Sequence, residues 1–415
     1  MTYIVLGLLI FCAHLFSAWF SRRRIPDVLL LMIIGIVIGP VTGWVSPEDL
    51  SKVGPVFASL TLLFILFDSG LDMKLDTIRT YWQGVVQVTF LSFITAMATV
   101  AVIGYYYIGL EITPALILGS SVAGTAAAIV IPLVAQMRVS ERTRVTLTLE
   151  SAISGVLCIV ATLSFIQGYK SGSPTPGIVI GQVIASMLIA MLLGVAGGIV
   201  WSSFMHRIRK LQNSMFLTPA FIFVIYGFTE ALGYSGAVAA LAFGLVMGNP
   251  EYFSPSFLSR FKLQPMTPLL ETEKGFFKEL VFILKTYFFV YIGICIPFTN
   301  TTALLYGLVI AAALFVVRFI IIALVGRKNT SDDRLTVSMM IPKGLVSAVL
   351  ASMPETVNIQ AGYTVIPGAT TIKYVTYSVI FCSICICSIL VLATSKRLIK
   401  NEIEIGRAVQ QECRD

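Results

Sequence analysis

Four of the ionisable side chains within or at the edge of apolar runs of this chain carry the argument: Glu150, Lys285, Arg318 and Lys343. A charged group costs roughly 2.5 to 3.5 kcal/mol at the centre of a membrane-spanning helix, so such residues mark ion pathways or substrate sites. The segment 114–159 carries Glu150 and a Gly- and Thr-rich interruption around Thr125. In a bilayer, this combination predicts a transport site.

The depths of these residues in their apolar runs group them into one layer. At 1.5 Å of rise per residue, Glu150 and Arg318 both lie roughly 8 to 10 Å below the cytoplasmic surface, so they are candidate partners. Lys285 and Lys343 lie roughly 12 to 14 Å from the same side, and Thr125 lies near the midplane. Two structural alternatives stay open: an ion pair that only fixes helix packing, and a Lys285 that snorkels toward the inner face.

The composition indicates which elements must position this layer. The chain has 57% hydrophobic residues, 12% charged residues and a mean hydropathy of +0.90, which soluble domains do not show. It divides into about thirteen apolar runs of the length that spans a bilayer. We therefore predict an all-α polytopic membrane protein. A nucleophile with a base, a metal cluster and a phosphate-binding loop are missing from the sequence, so neither an enzyme nor a cofactor is expected.

The distribution of positive charge predicts the orientation. Most of the 29 Lys and Arg residues fall in alternate loops, as cytoplasmic loops require. The amino terminus is then outside the cell membrane and the carboxyl terminus inside, with residues 396–415 as a cytoplasmic tail. The net charge of +8 is explained by this orientation and does not indicate nucleic-acid binding. The expected environment is the lipid bilayer of the plasma membrane.

Two of the predicted spans are interrupted by residues that disfavour helices. Gly124 and Pro132 interrupt the span 114–136, and Pro342 and Gly344 interrupt the span 335–353. Non-helical backbone persists at membrane depth only where protein or a water-filled cavity satisfies its polar groups. Each interrupted span is the middle of a three-helix group, and the two are seven spans apart, as in an inverted repeat of six spans.

Several segments resemble the monovalent cation:proton antiporters, in particular the sodium/proton exchanger branch. They include LILGSSVAGTAAA, LESAISG, EALGYSGAVAALAFGLVMGN and PKGLVSAVLA. The resemblance implies a homodimer in which each protomer has a dimerisation domain, residues 1–71 and 177–296, and a six-helix core, residues 82–167 and 303–395. The core is expected to move as an elevator, with the ion site at its two crossed, broken spans.

The resemblance also implies a site, and this sequence departs from it. In the family, Glu150 and Ser151 would begin the pattern Glu-Ser-x-x-Asn-Asp, whose last Asp binds the cation and the proton in turn. The departures stand at three positions: Ser154 for the Asn, Gly155 for the Asp, and Ala126 for a second Asp that would follow Thr125.

We expect exchange of a monovalent cation, Na⁺ or K⁺, for protons through an atypical site, in which Glu150 replaces the missing Asp as the titrating group. Hydroxyl groups and unwound carbonyls would coordinate the cation, and no other metal is expected. The proposed ion-binding residues are Thr125, Glu150, Ser151 and Ser154.

Two alternatives to proton-coupled exchange remain. Glu150, Arg318 and Lys343 together leave one positive charge in the core, and this favours an anion transporter or an uncoupled conduit on the same fold. The loss of the family carboxylates also allows a non-transporting regulatory protein that has kept the scaffold.

Overall fold

A computed structural model of the chain describes residues 7, 11, 14–15, 27–47, 54–135, 137, 139–170, 176–209, 214–253, 268–298, 300–325, 331–361 and 366–412. The predicted first span, residues 2–20, lies almost wholly outside them. The helices are α1 (Asp27–Ile36), α2 (Gly54–Asp72), α3 (Leu75–Ile103), α4 (Ile112–Val122), α5 (Ala127–Ala135), α6 (Glu141–Lys170), α7 (Pro176–Ile208), α8 (Leu217–Ala231), α9 (Gly236–Gly248), α10 (Glu271–Ile294), α11 (Thr301–Val325), α12 (Ser331–Met339), α13 (Leu345–Ala361) and α14 (Ala369–Glu412).

Long apolar helices dominate the described residues. Six stretches are long and apolar enough to cross a membrane: Gly84–Ile108, Ile112–Ile131, Glu141–Tyr169, Ala185–Met205, Thr301–Val325 and Ala369–Thr394. Large apolar side chains are exposed on the outer helices, for example Ile94 on α3 and Ile320 on α11. Apolar side chains of this kind can face lipid tails. The backbone polar groups need no other partner there, because a helix satisfies its own.

The two spans with interrupting residues are broken in the structure, as predicted. Residues 123–126 separate α4 from α5, and residues 340–344 separate α12 from α13. Pro342 has no backbone N–H to donate and Gly344 disfavours the helix interior, which accounts for the second break. Each break leaves backbone N–H and C=O groups without helical partners in the interior of the protein.

Glycines allow two helix pairs to approach closely. A Cβ on Gly244 of α9 would lie 2.1 Å from the carbonyl oxygen of Phe67 on α2, and one on Gly70 of α2 would lie 2.3 Å from that of Leu241. Gly35 of α1 and Gly293 of α10 face each other in the same way. Small residues of this kind let membrane helices pack by direct backbone contact.

The remaining packing places the breaks in the interior. Helix α9 packs against α2 and α7, and α10 packs against α1 and α2. Helices α3 and α6 pack against α4, while α14 packs against α11 and α13. The second group surrounds both breaks and buries the polar groups described next.

Candidate functional site

The two breaks touch each other through the backbone. The amide N–H of Ala126 donates to the carbonyl oxygen of Pro342 over 2.9 Å. Gly344 lies against Ala126, since a Cβ on Gly344 would come within 2.7 Å of the Ala126 Cβ. Helix ends from distant parts of the sequence therefore meet at one crossing, as they do in transporters with discontinuous helices.

Beside the crossing, Glu150 of α6 and Arg318 of α11 form a buried ion pair. Arg318 Nη1 donates to Glu150 Oε1 over 2.5 Å and Nη2 donates to Oε2 over 2.7 Å. Both side chains are 3% exposed. Arg318 also donates to the Ser92 hydroxyl and to the carbonyl oxygen of Val337. Two parallel hydrogen bonds between a guanidinium and a carboxylate hold both side chains in one geometry and strengthen the attraction between their charges.

Lys343 lies in the second break and reaches across to the first. Its Nζ donates to the carbonyl oxygen of Gly124 over 2.8 Å and lies 3.5 Å from that of Ala123. Its backbone N–H donates to the Ser383 hydroxyl over 3.0 Å. The residue is 2% exposed. The ion pairs among the described residues do not include Lys343, so carbonyl groups hold this ammonium.

Two amide groups of the first break, those of Gly124 and Thr125, point to α6. The N–H of Thr125 donates to the Ser154 hydroxyl over 3.1 Å, and the two hydroxyls lie 3.2 Å apart. One residue earlier, the N–H of Gly124 donates to the sulfur of Cys158 over 2.9 Å. The Ser151 hydroxyl donates to the carbonyl oxygen of Thr148 within α6.

Two small cavities flank the crossing. One of about 20 Å³ is lined by the ion pair, Lys343 and four hydroxyl-bearing residues, and it can hold one water molecule; the four are Thr89, Ser92, Thr125 and Ser154. The other, of about 30 Å³, is lined by Ala126 and Gly155 together with Thr125, Ser151 and apolar residues of α2, α9 and α13. Ala126 and Gly155, two of the three positions at which we expect a departure from the family pattern, border this second cavity, and the third, Ser154, lines the first one.

A third, larger cavity of about 510 Å³ lies next to the second one. The same four helices, α2, α6, α9 and α13, border both cavities, and their contributions are offset by three or four residues. The pairs, with the larger cavity first, are Leu62 and Leu66, Ile159 and Gly155, Ala237 and Leu241, and Val349 and Val346. At 1.5 Å per residue, about one helical turn separates the two cavities.

The structure does not bring Lys285 into this group. Lys285 lies on α10, with its Nζ 5.8 Å from the centre of the Phe282 ring, and it is not among the described residues that line the charged cavity. Depth alone placed Lys285 with Lys343, but Lys285 belongs to helix α10 and Lys343 to the break between α12 and α13.

Sequence reasoning missed three residues that hold the site together: Ser92, Cys158 and Ser383. Ser92 and Ser383 carry no pattern that would single them out, because their partners are distant in sequence. Cys158 follows Ser154 by four residues and therefore lies on the same face of α6, which was the available signal. In the described part of the chain, the structure holds no group of three or more His, Cys, Asp and Glu residues that could bind a metal.

Comparisons with known proteins agree with this architecture. A profile described as sodium/hydrogen exchanger, transmembrane, matches residues 7–395. The Na(+)/H(+) antiporter 1 of Methanocaldococcus jannaschii is 23% identical over 389 residues, which cover 89% of this chain and 87% of that protein. The K(+)/H(+) antiporter NhaP2 of Shewanella sp. strain MR-4 is 26% identical over 254 residues, which cover 60% of this chain and 44% of that protein.

A solved structure has the same fold. The sodium proton antiporter MjNhaP1 from Methanocaldococcus jannaschii at pH 8 matches with a TM-score of 0.75 at 21% sequence identity, over 94% of this chain and 98% of that one. This likeness confirms the predicted all-α fold with its apolar spans.

Proposed function

Because this chain belongs to the sodium/hydrogen exchanger family, we propose that it exchanges a monovalent cation, Na⁺ or K⁺, for protons at the crossing of its two broken helices. The family consists of transporters, so the chain is a multi-pass membrane protein and not an enzyme. Relatives named as Na⁺/H⁺ and as K⁺/H⁺ antiporters support both cations as substrates.

One contact carries the proposal for this chain: the Lys343 ammonium on the carbonyl oxygens of Ala123 and Gly124. Unwound carbonyl groups are the ligands that alkali cations take in membrane proteins. A buried ammonium on these oxygens occupies the place of a cation. The hydroxyls of Thr125, Ser151 and Ser154 would complete the coordination of an incoming ion.

Exchange then follows from competition for the same oxygens. When the cation binds, the Lys343 ammonium loses one proton and leaves as a neutral amine. When the cation is released, the amine takes up one proton and returns to the carbonyls. The core keeps one positive charge in both states, because Glu150 and Arg318 neutralise each other. This predicts one proton for each cation.

The same geometry changes the role proposed for Glu150. Its carboxylate accepts two hydrogen bonds from Arg318, and protonating it would leave a buried guanidinium without its partner. We therefore favour Lys343 as the titrating group and the Glu150–Arg318 pair as the element that positions α6 against α11.

The experiment is proton flux into liposomes that contain the purified protein and a pH-sensitive dye, driven by pulses of Na⁺ or K⁺. We expect cation-driven proton flux in the native protein and a loss of coupling in Lys343→Arg, because a guanidinium keeps its charge but does not release its proton. A loss of coupling in a folded Glu150→Gln variant together with normal coupling in Lys343→Arg would assign the proton to Glu150 instead.

A second candidate, anion transport, is favoured by the positive charge of Lys343, which no described ion pair compensates. Anion-dependent flux that persists after the pH gradient has been collapsed would support it over exchange. Folded protein without flux of either kind would favour the non-transporting regulatory function.

The larger arrangement belongs to the same proposal. We propose a homodimer with a dimerisation domain at 1–71 and 177–296 and a moving core at 82–167 and 303–395. The amino terminus is outside the plasma membrane, and the tail 396–415 is cytoplasmic. The packing of α3, α4 and α6 around one break, and of α11, α13 and α14 around the other, supports this division.

A further inference from the structure

The backbone of the first break separates its donors from its acceptors. The carbonyl oxygens of Ala123 and Gly124 face Lys343. The N–H groups of residues 124 to 126 point elsewhere. Gly124 donates to the Cys158 sulfur, Thr125 to the Ser154 hydroxyl, and Ala126 to the Pro342 carbonyl oxygen. Three successive backbone donors are thereby engaged by the protein.

The engagement of these donors bears on ion selectivity. Successive backbone N–H groups in a non-helical segment form concavities that bind anions. Here such a concavity would lie beside the Lys343 ammonium, which takes part in none of the ion pairs among the described residues, and this positive charge would strengthen anion binding. With these three backbone donors engaged, the backbone groups that the break turns toward Lys343 are the carbonyl oxygens of Ala123 and Gly124, and acceptors suit a cation.

We propose that Cys158, together with Ser154, determines the cation selectivity of this site by engaging the amide donors of the unwound segment. This inference rests on the proposed cation exchange at the same crossing. Cys158 acts through Gly124 and is a positioning residue, since its sulfur contacts the backbone of the break. The pairing is specific in space, because a Cβ at position 124 would lie 2.7 Å from the Cys158 sulfur.

Cys158 allows a sharp test, because its hydrogen-bond acceptor can be removed or exchanged for a hydroxyl oxygen. Cys158→Ala removes the acceptor and frees the Gly124 amide, whereas Cys158→Ser replaces the accepting sulfur with a hydroxyl oxygen. Cys387 of α14 is also fully buried, so Cys387→Ala is a matched control for the loss of a buried thiol. Ser154→Ala frees the Thr125 amide, and Ser164→Ala, on the same helix, is its control.

The experiment compares cation-driven proton flux in chloride, nitrate and gluconate at a fixed cation concentration, using folded full-length protein in liposomes. We expect the native protein, Cys158→Ser and both controls to be insensitive to the anion. In Cys158→Ala we expect nitrate to raise the half-saturating cation concentration roughly tenfold. In Ser154→Ala we expect nitrate to raise this concentration as well.

Two results would overturn the inference: anion sensitivity in the native protein, or anion insensitivity in folded Cys158→Ala and Ser154→Ala. Thermal stability in nitrate and gluconate gives a readout that does not depend on transport. Nitrate should stabilise Cys158→Ala and leave the native protein unchanged. If the native protein shows no cation-driven flux, the proposed exchange has failed, and these thermal shifts still decide the selectivity of the segment.

Discussion

The Glu150–Arg318 pair shows what individual residues contribute to this core. Both side chains are almost fully buried, and their two parallel hydrogen bonds satisfy most of their polar atoms. Desolvation offsets much of the attraction in such a pair, so its net contribution to stability is small. Removing one partner is costly, because the other charge then stays buried and alone.

We predict that Glu150→Gln lowers the free energy of unfolding by about 3 to 5 kcal/mol. The matched control is Glu355→Gln, which breaks the partly exposed pair of Glu355 with Lys373 and should cost about 1 kcal/mol or less. Unfolding of both variants in detergent, followed by intrinsic fluorescence, measures the difference. Equal losses of stability in the two variants would contradict the prediction.

Lys343 illustrates the opposite situation, a buried charge held by backbone dipoles. A carbonyl oxygen carries only a partial negative charge and leaves the net charge of the ammonium in place. The Lys343 contact is therefore easier to break and re-form than the Glu150–Arg318 pair. A residue that must release a proton and take it up again requires such a partner. This difference between two neighbouring buried cations is the physical basis for our choice of Lys343 as the titrating group.

At the scale of elements, close helix contacts depend on glycine. Gly244 and Gly248 of α9 are four residues apart, and a Cβ on either would lie within 2.3 Å of a carbonyl oxygen of α2. The spacing places both on one face of α9, which is the pattern of tightly packed membrane helices. Helix α9 is therefore positioned by backbone contact with α2 along one full turn.

We predict that Gly244→Ala destabilises the protein by about 1 to 3 kcal/mol, because its Cβ would force α9 away from the backbone of α2. Gly227→Ala on α8 is the control, since nothing lies within 4 Å of a Cβ there. The midpoint of thermal unfolding in detergent checks the prediction. It is wrong if the two alanine variants unfold at the same temperature.

At the scale of the whole molecule, the stacked cavities indicate a path to the crossing. The cavity of about 510 Å³ and the small cavity beside Gly155 share four helices and are about one turn apart. In the proposed orientation, the larger cavity lies on the outer side. In the proposed exchange, an ion that enters it is about one helical turn from the small cavity.

We predict that Ser352→Cys, which lines the larger cavity, reacts with a membrane-impermeant thiol reagent added outside, in a chain whose seven native cysteines have been replaced. Ala126→Cys is the control, because its cavity of about 30 Å³ is too small for the reagent. Labelled fractions are read from gel shifts of intact cells and of inverted vesicles. Reaction of Ser352→Cys from the cytoplasmic side alone would reverse the proposed orientation.

The sequence by itself determined the class of this protein and its broken helices. Bilayer-spanning helices require long apolar runs, and breaks require residues such as Pro342 and Gly344, so both can be recognised locally. The identity of the buried charges, and the presence of Ala126 and Gly155 where the resemblance implies carboxylates, are also read from single positions of the sequence. The fold class predicted from these features is confirmed by the structural match.

Only the tertiary structure decided which of these groups meet. Residue depth follows from position along a helix, but lateral neighbours depend on how helices from distant parts of the chain rotate and pack. Lys343 and Lys285 have similar predicted depths, yet Lys343 contacts the first break and Lys285 lies beside Phe282. The contacts of Lys343 with carbonyl oxygens, and of Cys158 with the Gly124 amide, arise from this packing, because a backbone group carries no sequence signature of its partner.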